Sequence, residues 1–136
     1  MKVIKAFSHS ASGELISSWA YGKSEKTYRP DKWNYPPQWL ARQGYGILCF
    51  ESIESLASAR DMILKFSGSV WICEARTRWP MRRYGDSIEL SRGRVHLCGM
   101  SWPRDTIMVA GIKPVSKLFD CGYHVGSEAR MHNADI

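Results

Sequence analysis

Apolar and polar positions alternate along the opening MKVIKAF, which is rich in Val, Ile and Phe and predicts a first strand. The turn cluster SHSASG follows, and then ELISSWAYG reads as a second strand, so the two form a hairpin with a loose loop. The next segment, KSEKTYRPDKWNYPPQWLARQGYG, has no sustained period and is irregular, with a short strand around Thr27–Arg29. Pro36-Pro37 rules out a helix running across it. YGILCF is a continuous apolar strand. After it, Ser52 stands at an N-cap position, and Glu54 lies in the first turn, where the helix dipole favours a negative charge. Ile53, Leu56, Ala57, Ile63 and Leu64 recur at helical spacing, which predicts a helix from about Ile53 to Phe66. Gly68 stands just beyond it as a C-terminal stop. SVWICEAR and RVHLCGM are strands on either side of an arginine-rich segment. Ser101–Phe119 supplies two more, around Ile107–Val109 and Val115–Phe119, separated by Gly111 and Pro114.

This order predicts an α+β domain: a mostly antiparallel, twisted β-sheet with one main α-helix (about 53–66) packed on one face. A sheet with one helix leaves its other face uncovered, so loops or another subunit are expected to cover it. The domain is expected over 1–119, and 120–136 is a tail, exposed or ordered by a partner.

Composition sharpens this picture in three ways. With 136 residues, 44% hydrophobic and 24% charged, the chain can form one core. A net charge of +6 favours anionic partners, nucleotides or nucleic acid among them. The four cysteines are spaced 23 to 25 residues apart without a C-x-x-C, and Cys49, Cys73 and Cys98 sit in apolar runs. Buried, reduced thiols are expected rather than a disulfide framework. No apolar run reaches the ~18–20 residues of a membrane span, and the first residues do not read as a signal peptide. A cytoplasmic location is the expectation.

The chemistry concentrates in ARTRWPMRRYGDSIELSRGR. Arg76, Arg78, Arg82, Arg83, Arg92 and Arg94 fall within 19 residues, with Trp79 and Tyr84 between them and no lysine. Guanidinium forks match phosphate oxygens and stack on rings, and aromatic faces accept bases without a hydrogen-bond code. The bland alternative is a solvated basic loop. Trp19 and Tyr21 share one face of the second strand. Trp71 belongs to the core, and Trp33, Tyr35 and Trp39 are expected to pack their proline-rich loop onto the sheet. Trp102, Arg104 and Asp105, at the entrance to the last strands, carry groups that would complete a pocket. Glu74 lies in an apolar strand on the same face as Arg76, so an ion pair between them is expected.

Two other chemistries are weaker. His96, Cys98, Cys121 and His124 supply a zinc-type ligand set, but the intervals are not those of a finger or ribbon, so no metal is expected. There is no G-x-S-x-G, H-E-x-x-H, P-loop or G-x-G-x-x-G, and the acids are scattered. No cofactor and no catalytic residue is expected.

Several segments in order, MKVIKAF, ELISSWAYG, YRPDKW…PP, GYGILCFESIESLASA, VWICEA and WPRDTIMVAGIKPVSKL, resemble those of a widespread class of small phage and prophage proteins. The Thoeris anti-defence "sponge" proteins are similar in size. That resemblance covers about Met1 to Phe119 through short motifs, and the arginine-rich segment and the tail lie outside it. It implies a homo-oligomer that binds cyclic ADP-ribose isomers or cyclic oligonucleotides without altering them, in pockets near subunit interfaces.

Together these readings predict a non-catalytic binding protein that sequesters an anionic cyclic nucleotide or cyclic ADP-ribose-type immune signal in phage counter-defence. The expected ligand-binding residues are Trp19, Tyr21, Trp79, Arg82, Arg83, Arg92, Arg94, Trp102, Arg104 and Asp105. The arginines would neutralise phosphate, the aromatics would stack, and Asp105 would accept from a base or ribose. The rival readings are a phage inhibitor acting by protein–protein contact, of the anti-restriction or anti-CRISPR type, and a basic nucleic-acid-binding module. A nucleotide hydrolase or ADP-ribosyl-transfer-like enzyme is the remaining alternative.

Overall fold

Strand-forming alternation dominates the chain, and the computed structural model is accordingly mostly antiparallel sheet with little helix. It describes residues 1–17, 26–42, 44–57, 68–84, 87–90, 93–96 and 106–121. The main sheet contains β1 (Lys2–His9), β2 (Leu15–Ser17), β3 (Thr27–Tyr28), β4 (Ile47–Phe50), β5 (Gly68–Trp79) and β9 (Thr106–Cys121). A separate three-stranded meander is built from β6 (Met81–Tyr84), β7 (Ser87–Leu90) and β8 (Gly93–His96). Two short helices are described, α1 (Gln38–Ala41) and α2 (Ile53–Ala57).

The strand order of the main sheet is β3-β2-β1-β4-β9-β5, and β5 also pairs with β1. The pairings β1–β4, β4–β9, β9–β5 and β5–β1 therefore close a ring. The β1–β5 ladder is long, from Lys2 opposite Glu74 to Ser8 opposite Gly68. Closure depends on strong local twist, and β9 supplies it. Its register against β5 skips Leu118 and then Val115, giving two bulges, and bulges increase twist and bend a strand. The expectation of an uncovered sheet face is corrected here, because the sheet curls until its inner face covers itself.

Period-two alternation then sorts the side chains. Val3, Phe7, Cys49, Cys73, Ala75, Ile107, Val109 and Ile112 form the inner core, with Leu15 and Tyr28 packed against it. Ile4, Ala6, Phe50, Val70, Phe119 and Cys121 form an outer core with Leu56 of α2. Each fully buried Val, Ile, Leu or Phe contributes roughly 1.5–3 kcal/mol. Ser52 caps α2 as its sequence position predicts: the Ser55 N–H donates to Ser52 Oγ at 3.2 Å. Of the predicted helix, residues 58–66 lie outside the described residues.

Two other expectations change. Gly68, expected just beyond the helix, is the first residue of β5, and residues 58–67 before it lie outside the described residues. A Cβ there would overlap the Phe7 carbonyl oxygen, so the close approach of β1 and β5 requires glycine. The strands predicted around Ile107–Val109 and Val115–Phe119 are one continuous strand, β9. Pro114 is tolerated within it because it adjoins the Val115 bulge, and its carbonyl accepts the Asp31 N–H at 2.8 Å. The arginine-rich segment is not a loop. β5 runs on through Arg76 and Arg78, and β6, β7 and β8 continue it. The sequence did not predict α1, which starts immediately after Pro37, where a missing N–H costs nothing.

Candidate functional site

The β1–β2 connection is a tight turn. The Gly13 N–H donates to the Ser10 carbonyl at 2.9 Å, and the Glu14 N–H to Ser10 Oγ at 3.1 Å. Gly13 and Glu14 of this turn line one hollow together with β3, Arg29 and Pro30 and with Ser69 and Trp71 of β5. This cleft has a volume of about 330 Å³. That volume is at the lower end of small-molecule sites and holds about one ring system with a phosphate.

Trp71 is the aromatic surface of the cleft and His9, Arg29 and Lys117 are its basic groups, with Glu14 as its acid. Register brings Trp71 of β5 directly opposite Lys117 of β9. Trp71 is half-buried, with its body against the inner core and its ring at the cleft. Its Nε1–H donates to Ser69 Oγ at 2.8 Å, and the same oxygen lies 2.8 Å from His9 Nε2. An indole N–H can only donate, so Ser69 accepts from Trp71 and has its own hydrogen to give to His9. That arrangement suits the His9 tautomer protonated at Nδ1. Ser69 is fully buried and orients both rings.

Positive charge gathers at the rim. Burial, and then the neighbouring Arg29 charge, lower the Lys26 pKa. Lys26 Nζ also lies 5.7 Å from the centre of the Tyr28 ring. Lys117 contacts Asp120 at 3.3 Å, but that pair is about half exposed and therefore weak.

The residues expected from sequence are distributed differently. Trp19, Tyr21, Arg92, Trp102, Arg104 and Asp105 lie outside the described residues. Trp79 packs against Met108 with Tyr45, Leu48 and Met81 in an apolar cluster. Arg82 of β6 is directly opposite Glu89 of β7, and Glu89 is opposite Arg94 of β8, so the three share a row of the meander. Arg83 belongs to the neighbouring row, opposite Ile88. The expected Glu74–Arg76 ion pair is replaced: Arg76 donates to the Tyr35 hydroxyl and stacks on Trp33. Of the zinc-type set, Cys98 and His124 lie outside the described residues, and Cys121 is buried in the outer core. Among the described residues no group of three or more His, Cys, Asp or Glu could hold a metal ion. No described helix is long and apolar enough to cross a membrane.

Sequence reasoning did not single out His9, Arg29 or Lys117, and it assigned Trp71 wholly to the core. One signal was present: Ser69 and Trp71 are two apart on a strand and so share a face. Lys117 and His9 come to that face only through the β5–β9 and β1–β5 registers. No protein-family model, curated protein or solved structure matches this chain, so its site is read from its own geometry.

Proposed function

We propose that this chain binds, without altering it, an anionic small molecule that carries an aromatic ring, with nucleotides as the first class. One observation carries the reading: the cleft presents the Trp71 ring with His9, Arg29 and Lys117 around it. Stacking on the indole would hold a base, and the basic groups would hold a phosphate. The resemblance noted from the sequence puts cyclic dinucleotides and cyclic ADP-ribose isomers first among ligands to try. It also makes their sequestration in the host cytoplasm during phage infection the proposed role, carried out by a homo-oligomer. The arginines of β6 and β8, and Trp102, Arg104 and Asp105, remain candidates to extend the site. The cleft alone is sized for one base and one phosphate, so a larger cyclic ligand would need further groups.

Calorimetric titration with cyclic dinucleotides, cyclic ADP-ribose isomers and mononucleotides tests this. Micromolar or tighter binding is expected, weakened about tenfold or more in Trp71→Ala, the effect of losing one base–aromatic stack. Ligand released by denaturing the complex should be chemically intact. Absence of binding by the folded protein overturns the reading, and recovery of a cleaved product replaces sequestration with hydrolysis.

A further inference from the structure

Far along β5 from the cleft, a second group of aromatic and cationic side chains is held in a fixed arrangement. The Asn34 side chain organises the loop that carries it. Asn34 Oδ1 accepts the Arg29 N–H at 2.9 Å, and Nδ2 donates to the carbonyls of Arg29 at 3.0 Å and Lys32 at 2.8 Å. Asn34 and Ile112 also exchange both backbone hydrogen bonds, at 2.7 and 2.9 Å. This clamps the loop to β9 and places Trp33 and Tyr35 beside Arg76. The Tyr35 ring lies over Gly111, where an added Cβ would come within 2.7 Å of it. The Arg76 guanidinium sits 3.8 Å from the centre of the Trp33 ring, and Lys113 Nζ lies 5.5 Å from the same centre.

Two features go beyond what fastening a loop requires. First, no ion pair neutralises these cations: among the described residues neither Arg76 nor Lys113 forms one, although Glu74 stands opposite Lys113 in register and Arg78 nearby pairs with Glu51. Arg76 is exposed, with one N–H on the Tyr35 hydroxyl and its other donors available. Secondly, the backbone is strained here. The non-glycine residues with positive φ among those described are Asp31 at 60° and Thr77 at 52°. They lie two residues before Trp33 and one after Arg76. Thr77 is β-branched, for which this conformation is a costly exception, and such strain gathers at ligand sites.

We propose that Trp33, Tyr35, Arg76 and Lys113 form a binding platform for single-stranded nucleic acid, separate from the cleft. The stacked guanidinium and the Lys113 amine each take one of two successive backbone phosphates. Tyr35, 44% exposed and supported from below by Gly111, takes an unstacked base. Single strands are favoured over duplex because their bases are free to stack on a protein ring. The net charge of +6 draws such a polyanion to the surface.

Fluorescence anisotropy with labelled oligo(dT) tests the platform on the full chain. Binding is expected to weaken with salt, with a slope of about −0.7 per phosphate neutralised, or about −1.4 for two cations. Arg76→Ala and Lys113→Ala should each reduce that slope by about 0.7 and weaken binding about tenfold, with unchanged circular dichroism. Arg76→Lys should keep the slope yet lose affinity, because an ammonium neither stacks nor donates like the guanidinium. Trp71→Phe, a cleft variant, should leave oligonucleotide binding unchanged, which separates this proposal from the nucleotide cleft. The proposal is overturned if the folded protein does not bind oligo(dT) or if duplex DNA binds equally well. It is also overturned if inorganic phosphate competes as effectively as the oligonucleotide, or if both alanine variants bind like the native chain.

Discussion

Lys5 and Arg76 are both cations placed against aromatic rings, one inside the closed sheet and one outside it. Lys5 Nζ lies 5.6 Å from the centres of both the Phe7 and Tyr28 rings and donates to the Leu48 carbonyl at 2.7 Å. It is buried among apolar residues, with the Cys49 and Cys73 thiols as its titratable neighbours. An ammonium there has one acceptor for three donors, and desolvation lowers its pKa. Arg76 has an aromatic ring beside it too, but it is exposed to water. The comparison separates two uses of the same pairing. In the interior the ring cannot replace lost hydration, so the cation is a burden on stability. At the surface the ring holds a fully charged group still, which suits it to recognition.

The comparison breaks most visibly at Phe7, the largest fully buried side chain of the interior, whose ring lies 5.0 Å from that of Tyr28. Phe7→Ala should cost about 3–5 kcal/mol in urea unfolding, because the closed ring of strands has little freedom to collapse onto the cavity. A loss near 1 kcal/mol would mean that the interior is loosely packed.

Lys5→Met is the next largest effect and has the opposite sign. It should stabilise the protein, because a desolvated ammonium gives way to an apolar side chain of similar volume. It should also change the pH profile. In the unfolded chain Lys5 titrates near 10.5, and folding lowers that value. Between the two values the unfolded chain binds a proton that the folded one does not, so stability rises with pH. The thiols act in the opposite direction. Burial pushes Cys49 and Cys73 up to about 12 and Cys121 up to about 11, from an unfolded value of 9.0. Above pH 9 the folded chain therefore keeps protons that the unfolded chain loses, and stability falls. The two effects therefore oppose each other, and the falling limb set by the thiols begins near pH 9. Lys5→Met should lose the rising limb and keep the falling one. Identical profiles for the two proteins would show that Lys5 is not desolvated.

The smallest effect is expected at the surface. Arg76→Ala should cost only about 0.5–1 kcal/mol of stability, the value of an exposed cation–π contact. A loss above ~2 kcal/mol in the same urea titration would make Arg76 a structural fastener of the 29–35 loop. The distinction between the two cations would then fail.

Much of the fold was legible because its causes are local. The alternation in MKVIKAF, the apolar run ILCF and the capped start of α2 each depend on neighbours in sequence, and each forms where the pattern puts it. Gly111 and Pro114 misled for one shared reason. Read locally they are breakers, whereas in the structure they meet demands set by distant chain. Gly111 admits the Tyr35 ring, and Pro114 adjoins a bulge. The arginine-rich segment was recognised as basic and aromatic, but not as strands, because its alternation places charge on both faces.

The sequence by itself determined that this chain is basic, strand-rich and aromatic, with its thiols in apolar runs. Those properties follow from side-chain chemistry and two-residue periodicity. Only the tertiary structure decided that the sheet closes on itself, since ring closure depends on how β1 meets β5 across more than sixty residues. The same registers set His9 and Lys117 beside Trp71, and Arg76 and Lys113 beside Trp33, while Lys5 is left inside. A lysine or tryptophan has the same letter in either place. What distinguishes them is how much water remains around the charge, and that depends on which strands pair and in what register.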